Sequence, residues 1–123
     1  MGSWAMSELG LGLDLCEIAR MTENIRRENF LKRVFTQSEQ AYADERGAMR
    51  ASSYAAMWAA KEAFSKALGT GIIFPMTDVE VLHEDGRPGY AIHGEAKKLL
   101  GDRKALLSLT HEAGMAGAVC MIL

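Results

Sequence analysis

The sequence has few cysteines, no excess of basic residues and no long apolar run. Its two cysteines, Cys16 and Cys120, lack the spacing of a metal site, and without a signal peptide we expect reduced thiols rather than a disulfide. The net charge of −2 argues against a general nucleic-acid-binding protein, which is normally basic. No apolar run is long enough to span a bilayer. These absences predict a cytoplasmic protein that binds neither nucleic acid nor membrane.

The composition that remains is that of an ordinary globular domain. Of 123 residues, 49% are hydrophobic and 24% are charged. The opening segment, MGSWAMS, has neither the basic nor the apolar region of a secretion signal. We expect residues 1–7 to be a cloning remnant and N-terminal tail, and residues 8–123 to form a single domain.

The segment LGLGLDLCEI predicts a half-buried β-strand, because leucines alternate with small or polar residues. The leucines at alternate positions from Leu9 to Leu15 share one face. Asp14 projects from the other face, beside Gly10 and Gly12. The carboxylate is therefore expected on a face with little side-chain bulk.

Three helices are predicted in the middle of the chain. A helical period covers residues 19–35 and carries most of its charge as arginine and lysine. Thr36 and Glu39 match a capping box, which ends that helix and begins the next. The longest helix is expected to run from about Met49 to Leu68, where a glycine follows.

The second half of the chain predicts short strands. The segment TDVEVLHEDGRPGYAIHG indicates a hairpin that turns at residues 85–88, and a short helix is expected over residues 95–100. Two further strands are expected on either side of residues 112–115, the second of them buried. The sum is an α+β fold in which an antiparallel sheet of short strands packs on a long central helix.

The long helix carries charged residues among apolar and small ones. It is apolar or small on both faces, which predicts cover on both sides, by the rest of the fold or by another subunit. Glu62 and Lys66 lie on the smaller face and could form an i,i+4 ion pair worth about 0.2–0.5 kcal/mol. If Asp14 lies opposite Glu62, however, the two carboxylates would favour Mg²⁺, and Lys66 would face an anion that the metal carries.

Three segments resemble the holo-acyl-carrier-protein synthase family, and they occur in this order: GLGLDLCEI, WAAKEAFSKALGTGI and SLTHEAGMAGAVCMI. Members of this family are small 4'-phosphopantetheinyl transferases of bacterial fatty-acid synthesis. The resemblance covers nearly the whole chain from Leu9 on. It implies the 4'-phosphopantetheinyl transferase fold and transfer of 4'-phosphopantetheine from coenzyme A to a serine of apo acyl carrier protein. It further implies adenosine 3',5'-bisphosphate as the second product, Mg²⁺ as cofactor, and a homotrimer with active sites between subunits.

The resemblance also assigns roles to individual residues. Asp14 and Glu62 are the implied metal ligands, and Glu62 is expected to help remove the proton of the attacking serine, directly or through a metal-bound water. Lys66 is implied to contact the coenzyme A phosphates and completes the catalytic group. The other implied coenzyme A contacts are Gly69, Thr70, Gly71 and His111. Since lone histidines are more often structural, we expect His83 and His93 to be so.

Two positions depart from the family pattern. Met57 stands where many members carry an arginine, which removes one phosphate contact, and Arg50, two turns earlier on the same face, is the candidate to replace it. Glu112 follows His111 where threonine is common, and this places an acid near the expected phosphate. We expect these departures to affect the affinity for coenzyme A.

Arg20, Arg26 and Arg33 match positions of the family's carrier-docking helix, and Arg26 and Arg33 are expected to share a face of it. A merely solvated helix face is the simpler interpretation, but a local positive patch on an acidic protein favours an acidic partner. Two alternatives to fatty-acid synthesis stay open from the sequence. One is a transferase for a dedicated polyketide or peptide synthase carrier, and the other is a protein that binds the carrier without turnover.

Overall fold

The computed structural model describes residues 9–123, so the expectation for residues 1–7 concerns residues outside the described part. Helices and strands come largely in separate runs along the chain, as is typical of an α+β fold. Their order is β1 (Gly10–Glu17), α1 (Ile18–Asn24), α2 (Glu28–Val34), α3 (Gln37–Asp44), α4 (Arg50–Leu68), β2 (Val79–Glu84), β3 (Arg87–Ile92), α5 (Gly94–Leu100), β4 (Ala105–Glu112) and β5 (Met115–Ile122). Short 3₁₀ turns precede α4 and β2. The order confirms the predicted class, the long helix, the hairpin and the two C-terminal strands.

The strands form two antiparallel sheets rather than the one that was predicted. β5 is the middle strand of a three-stranded sheet in the order β1-β5-β4, and β2 pairs only with β3. The register places Asp14 of β1 opposite Ala118 of β5. A turn at Asp85 and Gly86, both at positive φ, joins β2 to β3, while Pro88 already belongs to β3.

The glycine face of β1 lies directly on α4. A Cβ added at Gly12 would lie 2.7 Å from the backbone N of Ala67 and closer still to the carbonyl O of Ala63. A Cβ at Gly10 would collide in the same way with the carbonyl O of Ala67. Strand and helix can therefore approach this closely only because both positions lack a side chain.

The leucine face of β1 is the exposed face, so the strand is half-buried as predicted but with its apolar face outward. Leu9, Leu11, Leu13 and Leu15 are between 54% and 67% exposed. The expectation that β5 is buried is also wrong for alternate residues, because Val119 is 37% and Met121 is 44% exposed. Together with Leu106 of β4, these side chains form the outer sheet face: Leu11, Leu13, Leu15, Leu106, Val119 and Met121.

The helix predicted over residues 19–35 is two helices. α1 ends at Asn24, and Arg27 has extended backbone, with φ −96° and ψ 117°, before α2 begins. The break allows buried side chains on both helices to reach the core, among them Met21 and Phe30. Arg26 lies in the break and Arg33 on α2, so the shared helix face that was predicted for these two arginines is wrong.

A buried ion pair connects α3, α4 and β2. Lys61 Nζ donates to Glu39 at 2.9 Å and to the carbonyl O of Val79 at 2.7 Å. Glu39 also accepts from the backbone N–H of Thr36, which completes the predicted capping box, and from that of Val81. Burial raises the pKa of Glu39 and lowers the pKa of Lys61, while their attraction opposes both shifts. The hydrogen bonds compensate for the burial of two charges.

α4 is covered by the chain itself on both of its apolar faces. Ala55, Ala59, Ala60 and Phe64, which come from different sides of the helix, are all fully buried. The other subunit that was one explanation for this pattern is therefore not needed to cover the helix. Within residues 9–123 no helix combines the length and apolar character that a membrane span would need.

Gly12→Ala should destabilise the protein by about 3 kcal/mol or more, because the clash involves backbone atoms that cannot rotate away. Gly89→Ala is the matched control: it lies in β3, with no atom within 4 Å of an added Cβ, and should change stability by less than about 1 kcal/mol. Denaturant unfolding at one protein concentration measures both. Equal stability of the two variants would contradict the close approach of β1 and α4.

Candidate active site

Asp14 and Glu62 meet at one cavity, as the alternative interpretation of the long helix predicted. β1 supplies Asp14 from its glycine face, and α4 supplies Glu62. The cavity has a volume of about 290 Å³. We call it the acidic cavity, and it is lined by Asp14, Leu15, Cys16, Glu17, Arg20, Met21, Asn24, Trp58 and Glu62.

Lys66 is bonded to Asp14 rather than to Glu62. Its Nζ donates to Asp14 Oδ1 at 3.0 Å and to the carbonyl O of Leu13 at 3.0 Å. The ion pairs among residues 9–123 include no Glu62–Lys66 pair, so the simple i,i+4 pair that the spacing allowed is wrong. The Asp14 side chain is 16% exposed and that of Lys66 is 52% exposed, which leaves the ammonium accessible to a ligand.

The electrostatics of Glu62 reflect this arrangement. Partial burial raises the pKa of Glu62, the charge of Asp14 raises it further, and Lys66 lowers it. Two carboxylates that repel each other in a partly dry site are stabilised by a cation. Within the described residues no three or more His, Cys, Asp or Glu side chains cluster as a metal site. Two carboxylates nevertheless fit Mg²⁺, which typically completes its coordination with water and substrate phosphate oxygens.

The three arginines expected to dock the carrier lie in different surroundings. Arg20 lines the acidic cavity. Arg26 is exposed in the break between α1 and α2, where its guanidinium lies 3.9 Å from Glu23. Arg33 is exposed and lines a hollow on the surface of α2, beside Phe30. The structure thus places one of the three in the lining of the acidic cavity and the other two outside it, on the exposed surface.

The loop after α4 carries the residues expected to contact the adenosine part of coenzyme A. Gly69 ends α4 in the left-handed region, with φ 82°, and Gly71 has φ 71°. Nothing lies within 4 Å of a Cβ added at either glycine. Thr70 is exposed between them. The loop begins three residues after Lys66, at the C-terminal end of α4.

His111 does not lie in the acidic cavity. It lines a second cavity of about 240 Å³, which we call the histidine cavity. Ser53 of α4 lines this cavity too, and Ser53 and Glu62 are nine residues apart, which is about two and a half helical turns and places them on opposite sides of the helix. The two cavities therefore open on opposite sides of α4. The residues that line the histidine cavity are Tyr42, Arg46, Met49, Ser52, Ser53, Ala56, His83, Gly86, Pro88, Leu109 and His111.

Arg50 does not join His111 in the histidine cavity. Its Nε donates to Asp44 Oδ1 at 2.7 Å, and its guanidinium lies over the ring of Tyr54. Met57, where the family pattern has an arginine, is fully buried. Glu112 is exposed at the end of β4.

Arg46 is the cation that the sequence reasoning missed. It lies over the ring of Tyr42 at 5.1 Å, and Tyr42 stacks on His83 at 3.8 Å between ring centroids. Burial and the charge of Arg46 lower the pKa of His83. No carboxylate is among the residues that line the histidine cavity, although the chain as a whole is acidic. The lining comes from separate parts of the chain, so only the fold reveals it.

The chain matches known proteins over almost its whole length. Residues 10–119 match the model of the 4'-phosphopantetheinyl transferase superfamily. A holo-[acyl-carrier-protein] synthase of Anaeromyxobacter sp. (strain K) is 44% identical over 93% of this chain and 94% of its own length. One from Myxococcus xanthus is 42% identical over 92% and 93%.

Solved structures of holo-[acyl-carrier-protein] synthases have a fold similar to that of this chain. The Helicobacter pylori holo-[acyl-carrier-protein] synthase in complex with coenzyme A has a TM-score of 0.81 at 29% identity, and the match covers 92% of this chain and 99% of that one. The Bacillus anthracis enzyme in complex with CoA (3',5'-ADP) has a TM-score of 0.77 at 31% identity, with 92% and 94% covered. The chain therefore belongs to the holo-[acyl-carrier-protein] synthase family of the 4'-phosphopantetheinyl transferase superfamily.

Proposed function

We propose that this protein transfers 4'-phosphopantetheine from coenzyme A to a serine of apo acyl carrier protein for fatty-acid synthesis. The observation that carries the proposal is the convergence of Asp14, Glu62 and Lys66 where β1 crosses α4. Its relatives are holo-[acyl-carrier-protein] synthases, and two of the similar structures are complexes with coenzyme A or its 3',5'-ADP part. We treat residues 8–123 as one catalytic domain, and its cytoplasmic location stays a prediction.

The reaction needs a base, a charge-neutralising site and a position for the leaving group. The serine oxygen forms a bond to the phosphorus that carries pantetheine, and the bond from that phosphorus to the adenosine 5'-phosphate oxygen breaks. Glu62, whose pKa is raised, is suited to receive the serine proton. Lys66 neutralises charge on the leaving phosphate. Mg²⁺ held by Asp14 and Glu62 would neutralise charge on the diphosphate oxygens.

The histidine cavity is suited to an anionic part of coenzyme A. His111 and Arg46 line it without any carboxylate, and the longest helix begins beside it with no side-chain cap on its N-terminus. Arg50 is occupied by Asp44, so Arg46 is the better candidate for the cation that Met57 does not supply. The loop of Gly69, Thr70 and Gly71 would hold the adenosine from the other side, because its glycines leave the backbone accessible.

A homotrimer with active sites between subunits is supported by two features. The outer sheet face exposes six large apolar side chains on three neighbouring strands, and such patches mark interfaces. The acidic and histidine cavities open on opposite sides of α4, so a ligand that uses both would contact two copies of the chain. The apolar surface that needs a second copy is thus the sheet face rather than the long helix.

Carrier docking along α1 and α2 completes the proposal. Arg20 lines the acidic cavity, and Arg26 and Arg33 are exposed along the same segment, so an acidic carrier could follow them towards Asp14 and Glu62. Binding of the carrier without turnover would not require two carboxylates and an ammonium at one cavity. The residues at the acidic cavity thus favour a transferase, and a dedicated polyketide or peptide synthase carrier stays an alternative substrate.

Glu62→Gln should lower transfer at least about 100-fold while preserving the fold, because the variant loses both a base and a negative charge. Intact mass spectrometry of apo carrier incubated with coenzyme A and Mg²⁺ measures the added phosphopantetheine. Glu95→Gln, at an exposed pair on α5, is the matched control and should be fully active. A chelator should stop the wild-type reaction. Normal transfer by Glu62→Gln would reject the assigned role.

Arg26→Glu should raise KM for the carrier by roughly five-fold or more and leave KM for coenzyme A nearly unchanged, since the reversed charge acts on the acidic protein partner. Lys98→Glu makes the same charge change on α5 and should alter neither value. Initial rates at varied carrier and varied coenzyme A give both constants. An equal rise in the two constants would place the docking surface elsewhere.

Leu13→Asp should shift the protein from trimer to monomer, because it puts a charge in the middle of the outer sheet face. Leu99→Asp changes a leucine on α5 outside that face, which is 37% exposed, and should leave the assembly intact. Sedimentation equilibrium gives the mass, and circular dichroism checks that both variants fold. A Leu13→Asp protein that remains trimeric would exclude this face as the interface.

A further inference from the structure

Lys66 is the only side chain with an ion pair to Asp14 among the residues that the structure describes. Its Nζ is fixed by two acceptors on β1, the Asp14 carboxylate and the Leu13 carbonyl, each at 3.0 Å. A cation bound by the Asp14 carboxylate would lie only a few ångströms from this ammonium. The two positive charges would then repel each other.

The Lys66 ammonium is also exposed enough to move away from Asp14. The Lys66 side chain is 52% exposed, whereas Asp14 is 16% exposed and fixed on the strand. The bond to Asp14 is therefore one that Lys66 can exchange for an incoming phosphate without moving β1. Such an exchange would free the carboxylate oxygen and neutralise the lysine at once.

We propose that Lys66 is an internal counter-cation of Asp14 that makes metal binding and binding of the anionic substrate depend on each other. While Lys66 holds Asp14, it opposes a divalent cation at the two carboxylates. When a diphosphate takes Lys66, the opposition ends and the metal binds more tightly. Because coupling between two ligands is reciprocal, the metal must strengthen diphosphate binding by the same factor.

The size of the effect follows from the charges. Two unit charges about 4 Å apart change affinity by a factor of about five in bulk water, and both the second charge of the metal and partial burial increase this factor, so about five-fold is a lower bound. Removal of the ammonium should therefore tighten divalent metal binding in the absence of any substrate by about five-fold or more. A residue that only supports the fold would lower metal affinity or leave it unchanged.

The first test measures metal binding alone, with Mn²⁺ as the probe and the free ion followed by electron paramagnetic resonance. Lys66→Met should bind Mn²⁺ at least about five-fold more tightly than the wild type, and Lys66→Arg, which keeps the charge, should stay near the wild type. Lys98→Met loses the same charge from an exposed pair on α5 and is the matched control. Asp14→Asn should abolish the binding. Unchanged or weaker Mn²⁺ binding by Lys66→Met would overturn the proposal.

The second test measures the coupling by titrating coenzyme A calorimetrically with and without Mn²⁺, in the absence of carrier so that nothing turns over. Mn²⁺ should strengthen coenzyme A binding more in the wild type than in Lys66→Met, by about the same five-fold factor. An equal effect in both proteins would overturn the proposal.

This part rests on the proposed function, because coenzyme A is its substrate. If coenzyme A does not bind the wild type, the proposed function fails, while the Mn²⁺ measurement on the Lys66 variants still decides the counter-cation role.

Discussion

The close contact between the backbones of β1 and α4 determines where the acidic cavity lies. Gly10 and Gly12 lie on the carbonyls of Ala67 and Ala63 with no room for a Cβ. The next residue on this face, Asp14, is then held against the helix within reach of Lys66 Nζ at 3.0 Å. A strand moved outward by one side chain would lose this contact. The chemistry at the acidic cavity therefore depends on two positions that carry no functional group.

The same contact determines the other face of the sheet. Side chains alternate along a strand, so a glycine face turned to the helix turns the leucines outward. β5 and β4 continue the pattern, since Met121 lies opposite both Leu11 and Leu106. The packing of the glycine face of β1 on α4 thus places a carboxylate at the acidic cavity and leaves an apolar surface that a single chain does not cover. This surface connects the geometry of the site to the proposed trimer.

The sequence predicted the elements better than their surroundings. Period and capping signals identified α4, the hairpin and the Thr36 capping box, because these depend on neighbouring residues. Periodicity shows which residues share a face and not which face is covered, so it did not identify the leucine face of β1 as the exposed one. It also does not register one extended residue, Arg27, that divides a helix. The histidine cavity was missed because Arg46, His83 and His111 come from distant segments.

The departure at Met57 has a physical explanation in this fold. Position 57 is fully buried, where a guanidinium would need several hydrogen-bond partners, and methionine fills the space without that requirement. In the proposed function the cation near His111 would come instead from Arg46, which lies over the Tyr42 ring and lines the histidine cavity. Met57 lines neither of the two cavities, so the substitution leaves the arrangement of Asp14, Glu62 and Lys66 in place.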